Sequence, residues 1–201
     1  ETVTEALDLL GEGHVPEEAA LRARVTVAQV LRSVGDADAA EAQVLLALPR
    51  ARVLHARDAV AEGLFVLAAV AWSRRQLDVC EARAQEGLLL ATGPQLARPR
   101  ARLLLTLSTV QATRGQHASA VAGLSEAQVL LKDLRLKPIR AFALANLAEV
   151  LLGQGDVSGA WAHATEALEE ATSATHRVGE IAAHDIRGLA AVLCGATDIA
   201  R

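Results

Sequence analysis

The chain has 201 residues, 52% of them hydrophobic, 22% charged and only 2% aromatic, with a formal net charge of −4. Ala and Leu dominate, which favours helix, and so little aromatic bulk does not suit a sheet core. With Lys132 and Lys137 as the only lysines and the arginines scattered among acids, no clustered cation surface for nucleic-acid phosphates is expected. No membrane span is expected either, because no apolar run reaches the roughly 18 residues that one needs.

In chain order, residues 1 to 10 read as the end of a second helix whose first helix is missing. Gly11, Gly13 and Pro16 break and restart the chain, with Pro16, Glu17 and Glu18 suited to a helix start. A first full hairpin turns at Gly35-Asp36, where Asp36 can cap the second helix. Pro49 is expected to end or kink that helix near Leu48. Residues 50 to 74 carry nearly uninterrupted helix signal, so the next first helix is expected to begin well before Ala61. Thr92-Gly93-Pro94 is the next punctuation, with Pro99 shortly after it; Gly115 turns the third hairpin, and Lys137-Pro138 separates it from the fourth.

The fourth hairpin carries the plainest pattern. Leu144, Leu147, Ala148 and Leu151 recur at i, i+3, i+4 and i+7, stop at Gly155-Asp156, and are followed by Ala160, Ala164, Ala167 and Leu168 at the same spacing. The small residues matter most: Ala148 opposite Ala160 and Ala167 lets the two helix axes approach where a Leu would hold them apart. Stepping back 40 residues gives Leu104, Leu107, Ser108, Gln111, Gly115, Ala120, Leu124 and Ala127. Two further steps give Leu64, Leu67, Ala68, Ala71, Arg75, Cys80, Ala84 and Gly87, then Arg24, Val27, Ala28, Leu31, Gly35, Ala40, Val44 and Ala47. Val30, Val70, Val110 and Val150 form one constant column, and a forward step reaches Ala191, Gly195 and Ala200.

This order of large, large, small, large, Gly and then small residues resembles the tetratricopeptide repeat (TPR). The fold expected is therefore all-α: a right-handed superhelix, or α-solenoid, of antiparallel helix hairpins, read as one elongated array over 1–201. Its units are a partial one at 1–14, full ones at about 15–54, 55–93, 94–135 and 136–175, and a partial one at 176–201. Both ends fall inside a repeat, so a fragment of a larger protein is expected, with self-association through exposed end faces as one consequence.

The 40-residue period is longer than the family's common period of about 34 residues. It resembles the arrays of MalT-like, LuxR-type and AfsR-like bacterial regulators, and scaffolds of the kinesin-light-chain and cell-polarity type. The Ala, Arg, Leu and Val bias, without Met or Tyr, suits a high-GC bacterial genome. No P-loop, dinucleotide fingerprint or nucleophile elbow is present, and the six histidines show no zincin spacing, so neither an enzyme nor a metal or cofactor site is expected. Cys80 and Cys194 lie in different columns, which suits a reducing compartment, and the cytoplasm is the expected location.

In the resembling family the free face of each first helix lines the concave side, where ligands bind. The resemblance places there Arg22 and Gln29, then Glu62, Phe65 and Trp72, then Arg102, Leu105 and Thr109, and last Phe142, Asn146 and Glu149. With both Phe residues and one of the two Trp residues on it, this face reads as an apolar groove for a partner helix or extended peptide. The other reading is that these rings fill the space between adjacent first helices. Asn146 and Arg102 alone match the family's carboxylate-gripping version, and its lysines are absent. The function expected is a protein- or peptide-binding scaffold module; the alternative is the effector-sensing array of a signalling transcriptional regulator, holding a small molecule or an inhibitor protein.

Overall fold

The computed structural model describes residues 16–193 and Gly195. Expectations for residues 1–10, Cys194 and Ala200 lie outside them. Among the described residues there are nine α-helices and no strand. They are α1 (Glu17–Ser33), α2 (Ala37–Val53), α3 (Arg57–Ser73), α4 (Leu77–Leu90), α5 (Ala97–Thr113), α6 (His117–Asp133), α7 (Lys137–Gly153), α8 (Val157–Ser173) and α9 (Arg177–Leu193), with a 3-10 turn at Pro94–Leu96 before α5. Every helix begins 20 residues after the one before it, so the 40-residue sequence period is one hairpin. The chain divides into two compact units, Glu1–Thr106 and Leu107–Arg201, with the division inside α5.

The regular spacing comes from a repeated turn. After α1, the Asp36 N–H donates to the Leu31 carbonyl and the Gly35 N–H to the Arg32 carbonyl, the paired bonds of a Schellman cap. The same pair recurs after α2, α3, α5, α6, α7 and α8. The cap needs one residue with positive φ, and Gly35, Gly115 and Gly155 supply it within three of the hairpins. Between hairpins the same backbone is held by His55, Arg135 and Thr175, and within the second hairpin by Arg75, all with φ between 54° and 60°. A turn without Gly is silent in sequence, which is why residues 50 to 74 read as continuous helix although α2 stops at Val53 and α3 starts at Arg57.

Three local expectations meet their outcome here. Asp36 caps α2 by accepting from the Ala39 N–H at 3.0 Å, and Asp156 caps α8 through the Gly159 N–H at 2.9 Å. Pro49 does not end α2, which runs on to Val53. Pro49 and Leu45, whose carbonyl loses its N–H partner, both lie on the exposed side, while Leu48 and Ala51 anchor the next turn in the core. Pro138 opens α7 in its first turn, where its missing N–H costs nothing.

Small residues set the helix spacing within each unit. In unit 2, Ala148 packs with Ala160 and Ala164, while Ala167 packs with Leu144, Ala145 and Ala183 of α9. Ala167 therefore packs with Leu144 and with the next hairpin's Ala183 rather than in the cluster of Ala148. In unit 1, Leu64 and Val66 of α3 are wholly buried, and each contributes roughly 1.5–3 kcal/mol over an exposed side chain. Trp161 lies between α8 and α9, its ring centre 4.8 Å from the Arg187 guanidinium carbon. Unit 2 also holds a buried charge: Arg140 of α7, 3% exposed, donates to Glu166 and Glu170 on successive turns of α8, and to Gln128 of α6 at 3.3 Å. No helix among the described residues is long and apolar enough to cross a membrane.

Candidate ligand-binding site

In unit 1, one face is built from α1, α3 and the first turns of α5. Because these helices are 40 residues apart in register, Arg22, Glu62 and Arg102 occupy one column, and Gln29 lies two turns along α1. Glu62 is the hub. Its Oε2 accepts from Gln29 Nε2 at 2.7 Å and from Arg102 Nη1 at 2.9 Å, and its Oε1 lies 4.0 Å from Arg98 Nε. Charge-assisted bonds of this kind hold three helices in one register.

Beneath this hub lies Phe65, 8% exposed. The Arg102 guanidinium carbon stands 3.9 Å from its ring centre and that of Arg32 5.6 Å. Burial pushes the Arg102 guanidinium below its usual range, the nearby charges of Arg98 and Arg32 act the same way, and Glu62 opposes them. Arg32 is lowered as well, by burial. Leu105 is buried, while Trp72 is half-buried near Arg75, 5.9 Å from ring centre to guanidinium carbon.

Beside Glu62 opens a cleft of about 260 Å³, lined by Arg22, Thr26, Gln29, Asp58, Glu62 and Arg98 together with Val25 and Ala59. Arg22 spans it, with Nε 2.6 Å from Asp58 and Nη2 2.8 Å from Glu18. These surface pairs are each worth at most about 1 kcal/mol, so they can be exchanged for a ligand at small cost.

Unit 2 has its own portion of the first-helix face. Asn146 Nδ2 donates to Thr109 Oγ1 at 3.4 Å, a weak bond; Glu149 is exposed, and Phe142 is an exposed ring at 40%. The structure thus joins Gln29, Glu62, Phe65 and Arg102 in direct contact, sets Arg22 on the adjoining cleft, and pairs Thr109 with Asn146. It adds Asp58 and Arg98, which the sequence reading left out. Both stand one turn before the hub column, at i−4 from Glu62 and Arg102, and extending that column by one turn would have found them.

No protein-family model matches the chain, and no curated protein matches it significantly. Solved structures do. BtubC (BKLC) from P. vanneervenii aligns with 98% of this chain and 82% of its own at a TM-score of 0.77 and 18% identity. A putative kinesin light chain from Podospora anserina, described by its nearly identical TPR-like repeats, aligns over 93% and 92% at 0.68 and 14% identity. YrrB, a TPR protein described as having an unusual peptide-binding site, aligns over 100% and 87% at 0.59 and 17% identity. At such identities the likeness establishes the fold: the chain is an all-α helical repeat of the tetratricopeptide type.

Proposed function

We propose that the chain is a protein- or peptide-binding module whose ligand lies along the first-helix face and enters the unit 1 cleft. The observation that carries this reading is the cleft itself: an open space of about 260 Å³ where six polar side chains from three helices converge. An extended peptide needs such convergent donors and acceptors for its backbone and side chains. The description of YrrB as a TPR protein with a peptide-binding site supports the reading by likeness of fold. The groove expected from the sequence was apolar; with Phe65 and Leu105 buried, the surface that unit 1 offers is polar, and a peptide with polar side chains suits it better.

The test is to pan a random dodecapeptide library against the full chain. Selected peptides are then measured by calorimetry on the wild type and on the Gln29→Ala, Arg98→Ala double variant. The reading requires binders that lose about tenfold or more in affinity on the variant. A library that yields no binder, or binders indifferent to both substitutions, contradicts it.

A further inference from the structure

We propose that the ligand of the unit 1 face is an acidic peptide, and that Glu62 occupies the place its carboxylate takes. This rests on the peptide-binding reading above and names the chemistry of that ligand.

The charges on the face do not balance. Arg22, Arg32, Arg98 and Arg102 contribute four positive charges, and Glu18, Asp58 and Glu62 three negative ones, leaving an excess of one on a chain whose net charge is −4. Arg22 is satisfied by Asp58 and Glu18, so the excess falls on the other three. Arg98 is more than half exposed and only 4.0 Å from the carboxylate it shares with Arg102. Arg32 has no carboxylate partner among the described residues, and its Nε is buried without a hydrogen-bond partner. One carboxylate serves two guanidiniums, Arg98 and Arg102, while Arg102 shares the Phe65 ring with the unpaired Arg32.

Such an arrangement is preorganised for an anion. Contact with the Phe65 ring and with Glu62 restricts Arg102 before any ligand arrives, which lowers the side-chain ordering a ligand must impose there, and partial burial strengthens each charge interaction. Glu62 is itself accessible from the cleft. An incoming Glu or Asp side chain can take its place on Arg98 and Arg102 while Gln29 donates to the newcomer. Glu62 is then an internal competitor, present to keep the empty site neutral enough to fold.

The experiment measures fluorescence polarisation of two labelled peptides, one with a run of Glu and its twin with Gln at the same positions. They are titrated with the full chain as wild type and as Arg32→Gln, Arg98→Gln and Glu62→Gln, each first checked for unchanged helical circular dichroism. The Glu peptide is expected to bind and the Gln peptide not. Arg32→Gln and Arg98→Gln each weaken binding about tenfold, Glu62→Gln tightens it by a similar factor, and raising salt from about 50 to about 300 mM weakens it. The proposal is overturned if the Glu peptide binds no better than its twin, if Glu62→Gln weakens binding, or if tripolyphosphate binds this face and the Glu peptide does not. Library-selected neutral peptides binding where the Glu peptide fails would overturn the acidic ligand alone; failure of every peptide would remove the peptide reading as well.

Discussion

Leu103 of α5 packs so closely against Gly87 of α4 that a Cβ at residue 87 would stand 2.7 Å from its Cδ1. Leu103 is wholly buried. Gly87 belongs to the small-residue column that also holds Ala47, Ala127 and Ala167, and here the column has shrunk to its limit because a Leu faces it. Gly87→Val is therefore expected to destabilise by about 2 kcal/mol or more. Gly153→Ala, at a helical position where an added Cβ meets nothing within 4 Å, is expected to stabilise by about 0.5–1 kcal/mol. Thermal melts of both variants check the pair; equal shifts would show that the packing at Gly87 is looser than described.

The turns between hairpins hold non-glycine residues in the left-handed region, and the most constrained of them is Thr175, which is β-branched, at φ 54°. Thr175→Gly and Arg135→Gly are each expected to stabilise the chain by about 1 kcal/mol by removing a Cβ clash with the backbone. Urea midpoints provide the measurement. A loss of stability in both would mean that these side chains contribute contacts outweighing the strain.

Arg140 is the buried cation between Glu166 and Glu170. Replacing it by Met leaves two carboxylates facing one another without a counter-charge, and about 3 kcal/mol is expected to be lost. Adding Glu166→Gln and Glu170→Leu to that variant is expected to restore most of it, since an uncharged set in the same space carries no unpaired charge. A single-variant loss below about 1 kcal/mol would show that the Arg140 cluster is screened like a surface pair.

Cys80 sits wholly buried in the small-residue column, and burial pushes its thiol from 9.0 up to about 11, with Glu81 adding to the shift. At pH 8 only about one molecule in a thousand carries the thiolate, so iodoacetamide is expected to label Cys80 in urea but not in buffer, as read by peptide mass mapping. The folded state disfavours the thiolate. Its contribution to stability is therefore complete below about pH 9 and is lost as pH rises from there through about 11. Rapid labelling of Cys80 in the folded chain would contradict its burial.

Much of this fold is legible because small residues cannot hide. Ala28, Ala68, Ala148, Ala160 and Ala164 sit where two helix axes must come close, and all are fully buried as the spacing predicts. The turns between hairpins were not legible, since His55, Arg135 and Thr175 adopt a glycine's backbone without announcing it. The constant Val column was only partly informative: Val70, Val110 and Val150 are buried, whereas Val30 is 45% exposed. On the first-helix face, register told which side chains share a side, but not how deep each sits. Periodicity cannot distinguish a ring open to ligand from one lying under a guanidinium, and Phe65 is the second kind because Arg102, one hairpin on, reaches back over it.

The most direct test of the account is an amide NMR titration of the isotopically labelled full chain with a peptide selected from the library. The account predicts that shifts cluster on α1 from Arg22 to Arg32, on α3 from Asp58 to Phe65, and at Arg98 to Arg102 of α5. Shifts confined to the second helices, α2 and α4, would contradict it and move the binding surface to the opposite side of the hairpins.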